Sequence, residues 1–107
     1  MTVRNLNGSG KQFPKPTCSC STWLEHWENN RKWKDGKKRS AAVCRACGCK
    51  FEHSELNGGH VKKVESVDEK RYIVPLCDSC NGKDNLEFEV ENSADLVAAN
   101  TNECINK

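Results

Sequence analysis

The chain has 107 residues, of which 36% are hydrophobic and eight are cysteine, and its mean hydropathy is −0.82. A single small domain with a lean core fits these values, and such domains commonly add metal or disulfide staples. The net charge of +2 excludes any reading of a partner from bulk charge alone, and no stretch is apolar over the length of a membrane span. Residues 1–17 hold no signal-like apolar run, so an intracellular, cytoplasmic setting is expected, where metal is favoured over disulfide.

In chain order, Met1 to Thr17 is polar, carries Gly8, Gly10, Pro14 and Pro16, and reads as a flexible arm. The remainder, 18–107, is expected to be one domain. After Cys18-Ser-Cys20, Thr22 and Glu25 match a capping box, which predicts a helix start. Trp23, Leu24 and Trp27 share a face at i, i+3 and i+4 spacing and belong in the core. That helix should stop near Asp35-Gly36. Arg31, Lys32, Lys34, Lys37, Lys38 and Arg39 form a basic run, either a solvated loop or a phosphate-contacting patch.

Asn57-Gly58-Gly59 reads as a turn. His60 to Glu65 and Arg71 to Leu76 are β-prone, and the polar stretch between them suits a hairpin connection. Cys77 should open a short helical turn limited by Gly82. Leu86, Phe88 and Val90 alternate with Glu87, Glu89 and Glu91, the pattern of a half-exposed strand with an acidic outer face. Ser93 is placed to cap a last helix running through Asn100. The expected class is α+β, with an N-terminal helix and a C-terminal strand and helix added to a central hairpin.

The chemistry concentrates in cysteines. Cys44-Arg-Ala-Cys47-Gly48 and Cys77-Asp-Ser-Cys80-Asn81 are two C-x-x-C pairs about thirty residues apart, the spacing of a four-thiolate zinc site. Zinc accepts a tetrahedron of sulfurs at about 2.3 Å, and a C-x-x-C turn lets two sulfurs reach one ion. Four plain buried cysteines, or two disulfides, are the alternative. Cys18, Cys20, Cys49 and Cys104 remain. With His26 or Cys49 as the fourth ligand, Cys18, Cys20 and Cys104 suit a second zinc tying both chain ends to the domain; a reduced or disulfide-bonded set is the other reading.

The order of a knuckle, Gly58-Gly59-His60-Val61, a hairpin and Ile73-Val74-Pro75-Leu76-Cys77 through Cys80-Asn81 resembles the treble-clef zinc finger. More narrowly it is similar to the zinc-stapled HNH (ββα-metal) endonucleases, over about Cys44 to Asp84, and to small bacterial or phage-type proteins with like segments. That resemblance implies a general-base histidine at His60 and a residue holding a catalytic Mg2+ or Mn2+ at Asn81. The family's acid before the histidine is Gly59 here, and its middle asparagine is Tyr72, so half of the catalytic equipment is replaced. Three function classes follow: a structural or nucleic-acid-binding zinc module, an HNH-type nuclease using His60 and Asn81, and a protein-interaction accessory. The first ranks highest, with DNA or RNA contacted through Arg31, Lys34, Lys37, Lys38 and Arg39.

Overall fold

The computed structural model describes residues 1–6, 22–65, 70–83 and 85–99. Within them lie five strands and two helices: β1 (Thr2–Asn5), α1 (Trp23–Asn30), β2 (Leu56–Lys63), β3 (Tyr72–Cys77), α2 (Asp78–Asn81), β4 (Glu87–Glu89) and β5 (Val97–Ala98). The strands form one antiparallel sheet in the order β4-β1-β2-β3-β5, and the fold is α+β as expected.

The centre of the sheet is the β2–β3 hairpin, in register from Leu56 opposite Cys77 to Val61 opposite Tyr72. Asn57-Gly58-Gly59 does not turn the chain; it lies inside β2. Packing explains the two glycines. A Cβ on Gly58 would stand 2.5 Å from the Leu24 backbone nitrogen, so α1 rests directly on the strand there. A Cβ on Gly59 would stand 2.4 Å from Leu76 Cδ1 and 3.1 Å from Asn81 Oδ1 on the other face, since successive strand residues alternate sides.

Helix α1 begins as its sequence predicts, with Thr22 Oγ1 accepting the Glu25 N–H at 3.0 Å. It ends at Asn30, short of Asp35-Gly36. Asn30 turns its side chain back to the His26 carbonyl, a local bond that competes with helix continuation, and Arg31 leaves the helix extended. The Asp35-Gly36 turn closes separately, with Asp35 Oδ1 accepting the Lys37 N–H and Gly36 at φ 73°. Trp27 is fully buried, its Nε1 donating to the Asp95 carbonyl at 2.8 Å, while Trp23 and Trp33 pack half-buried against the same core.

Two expectations for the chain ends are corrected. The flexible arm assigned to 1–17 does not begin at Met1: β1 sits between β2 and β4, and Val3 is fully buried. Residues 7–17 of that arm lie outside the described residues. The final helix from Ser93 is one 3-10 turn, Ser93–Asp95, capped by Asn92, after which Val97 and Ala98 pair with Ile73 and Tyr72. Asp95 is drawn in by Arg31 at 2.8 Å and Arg45 at 3.2 Å, and β-branched Val97 completes the sheet edge.

Candidate metal centre

The first C-x-x-C pair is carried on a tight loop. Val43 bridges Lys50, the Cys44 N–H donates to the Cys49 carbonyl, and Gly48 closes the loop at φ 75°, a region that favours glycine. Pro75 explains why this loop docks where it does. Its carbonyl accepts the Arg45 N–H at 2.9 Å, which fastens the loop to β3 two residues before Cys77. The second pair is set by β3 running straight into α2, with Cys77 as the last strand residue and Cys80 on the helix, which Gly82 ends.

Sequence reasoning missed the residue that holds this helix down. Asn5, fully buried in β1, shares the two N–H groups of its Nδ2 among the carbonyls of Cys80 (3.2 Å), Asn81 (2.9 Å) and Lys83 (2.9 Å). One polar residue near the N-terminus carries no local signal of such a role; its partners lie more than seventy positions away.

Together these bonds bring Cys44, Cys47, Cys77 and Cys80 to one point, their sulfurs all within 4.8 Å of one another. A tetrahedron of sulfurs at about 2.3 Å from an ion has edges of about 3.8 Å, so a slight contraction completes the coordination. Cys44, Cys77 and Cys80 are buried at 0%, 4% and 5% exposure, whereas Cys47 is exposed. Burial, then hydrogen bonding to the Cys77 thiol, pushes the Cys80 thiol up. The Cys49 backbone N–H pulls Cys47 down to about 7. A cation at the centre of four converging sulfurs binds them as thiolates. The donor set, four sulfurs and no oxygen, suits a soft tetrahedral ion such as zinc. The four cysteines are therefore positioned to hold a metal ion.

For the second centre, Cys18, Cys20 and Cys104 lie outside the described residues. His26 is 1% exposed, with Nε2 2.9 Å from the Ala98 carbonyl and its ring edge-on to Trp23, so it joins α1 to β5. Cys49 is exposed and lies beside Cys47 at the first centre, its Sγ 3.9 Å from the Cys47 carbonyl.

The nuclease pair is not brought together. His60 and Gly58 share the β2 face covered by α1, where the His60 ring lies 4.8 Å edge-on from Trp23. Asn81 lies against Gly59, on the opposite face, and its Oδ1 is buried with no hydrogen-bond partner among the described residues. His60 is 2% exposed, and its pKa is lowered to about 4 by burial, then by the nearby charges of Arg71 and His26. An unfolded histidine takes a proton near pH 6.5, so the native state binds fewer protons between pH 6.5 and about 4. Its contribution is present above that window and is lost as pH falls through it, by up to roughly 3 kcal/mol at about 1.4 kcal/mol per unit. Urea melts of the metal-loaded protein at pH 7 and pH 5 should therefore diverge more for the wild type than for His60→Gln; equal pH slopes would exclude this role.

The basic run divides in two. Arg31 is buried, with 6% of its side chain exposed, pairs with Asp95 and lies 4.0 Å over the Trp33 ring, so it is unavailable to phosphate. Arg39 pairs with Asp35 at the surface and lies 4.7 Å over the same ring. Lys34, Lys37 and Lys38 are exposed and make no ion pair among the described residues. Compared with known protein families, curated proteins and solved structures, the chain gives no match in any of the three.

Proposed function

We propose that this chain is a zinc-stapled, treble-clef-like module that binds nucleic acid through the loop after α1 and does not cleave it. The observation that carries this reading is the state of that loop. Its inner end is anchored by Arg31 on Asp95 and Trp33, while Lys34, Lys37 and Lys38 project with no acidic partner among the described residues. Grooves of about 370 and 360 Å3 flank Trp33, the first lined by Glu28, Asn30, Lys37 and Lys38 and the second by Lys34, Asp35, Arg39 and Asn92, so lysines outnumber acids in the first and basic residues do in the second. Exposed cations on a loop anchored at one end suit phosphate contacts, which position a backbone without reading sequence.

Against cleavage stands the separation of His60 from Asn81 by the thickness of β2, together with the Trp23 ring beside His60. A base that activates water must reach it, and a residue under a helix on the far side of the strand does not.

Binding of a labelled DNA or RNA duplex should be salt-dependent. Replacing Lys34, Lys37 and Lys38 together with alanine should weaken it and flatten the plot of log affinity against log salt by about 0.9 for each phosphate no longer neutralised. Plasmid DNA with Mg2+ or Mn2+ should remain uncut. Equal binding by wild type and triple variant, or no binding at low salt, would reject the nucleic-acid reading; cutting that disappears in His60→Ala would restore the nuclease.

A further inference from the structure

Three of the four sulfurs at the metal centre are shielded, Cys44 at 0%, Cys77 at 4% and Cys80 at 5% exposure, and the fourth is not. Cys47 is exposed at the tip of its loop, and a fifth thiol, Cys49, stands exposed two residues on. The Cys49 thiol donates to the Cys47 carbonyl, its Sγ 3.9 Å from that oxygen, which holds Cys49 against the exposed ligand. Gly48 between them stands at φ 75° with nothing within 4 Å of a Cβ placed on it, so this side of the loop is open. The ion needs four sulfurs at one corner each, and Cys49 is not among the four that converge.

We infer that Cys47 and Cys49 form a peroxide-modifiable dithiol at the one open corner of the metal centre, whose oxidation to a disulfide loosens the ion. It rests on Cys44, Cys47, Cys77 and Cys80 holding that ion. A metal-bound sulfur is a thiolate, the form that attacks peroxide. The Cys47 sulfur takes one oxygen of hydrogen peroxide, the O–O bond breaks, and hydroxide leaves. The Cys49 thiol then attacks the Cys47 sulfenic acid. An S–S bond forms, the S–OH bond breaks, and the hydroxyl departs as water with the thiol proton. Two electrons pass from the sulfurs to one peroxide, which ends as one water and one hydroxide. Cys44, Cys77 and Cys80 remain as ligands, and a three-sulfur site holds its ion less tightly than a closed four-sulfur one.

The test treats reduced, metal-loaded protein with limited hydrogen peroxide and follows released metal with a colorimetric chelator, while alkylation and peptide mass map the cysteines. Wild type should lose metal as Cys47 and Cys49 become protected together, and dithiothreitol with added zinc should restore both. Cys49→Ser alters an exposed side chain and should start with the same metal content. Its Cys47 should proceed to sulfinic acid, and reduction should fail to restore metal. The inference is overturned if oxidised wild type shows no link between Cys47 and Cys49, if Cys47 links elsewhere, or if Cys49→Ser recovers as wild type does. Metal absent before any peroxide is added would sink the metal-centre reading instead, and the cysteine mapping would still score the dithiol.

Discussion

Cys77→Ser is expected to leave the hairpin and both cysteine loops unfolded at 25 °C, and a strong chelator should do the same to the wild type. Cys77 closes β3 and opens α2, so it is covalently part of the sheet and of the centre at once. Structural zinc in small domains contributes on the order of 10 kcal/mol or more of apparent binding energy, against total stabilities of about 5–15 kcal/mol. The metal-free protein still has the Arg45 bond to Pro75 and the Asn5 bonds to α2, but these are worth about 1 kcal/mol each. They align the two loops; they do not replace an ion. Metal analysis and circular dichroism with and without chelator decide the matter. A protein that carries no stoichiometric metal and keeps its fold in chelator would show that the four thiols simply pack.

Asp95→Ala is expected to destabilise the metal-loaded protein by about 3–5 kcal/mol, the range for removing one member of a buried ion pair. Asp95 is 9% exposed and receives Arg31 on one oxygen and Arg45 on the other. Arg31 comes from the end of α1, Arg45 from the first cysteine loop, and Asp95 from the turn before β5, so one carboxylate joins three parts of the molecule. Without it the Arg31 guanidinium is left buried with no counter-charge. Adding Arg31→Met to Asp95→Ala should recover part of the loss, because the unpaired charge goes with it. Urea melts give both numbers. A loss below about 1 kcal/mol for the single variant would place the pair among surface bridges of little weight.

How far the fold is legible in the sequence depends on how local each signal is. The α1 start is legible because capping acts across three residues, and Thr22 does accept from Glu25. The hairpin is legible in Tyr72-Ile73-Val74, where β-prone residues run together. The end of α1 is not, because the Asn30 bond back to the His26 carbonyl has no strong sequence signal and is followed by Arg31 leaving the helix to meet Asp95, 64 positions on. Strand β1 is not, because Val3 is its only hydrophobic residue and its partners are Lys63 and Phe88. The Gly58-Gly59 pair misleads for a related reason. A glycine that turns the chain and a glycine that admits a neighbouring helix look the same in one dimension, and the 2.5 Å approach of Leu24 is a property of the packed molecule.

The candidate centre divides along the same line. Which four cysteines meet is written in the chain, since a C-x-x-C pair delivers two sulfurs to one point by its own short turn, and two such turns leave little choice of partner. That Cys47 is the open corner, with Cys49 against it, depends on which side of the loop faces the β3 edge. That His60 and Asn81 stand on opposite faces of β2 depends on strand register, where a shift of one residue exchanges every side chain between faces. Arg31 and Lys34 are equals in the basic run, and the position of Asp95 buries one and leaves the other in water. Short-range geometry is carried by the residues that make it; sidedness, burial and pairing across sixty or more positions arise only when the layers close on one another.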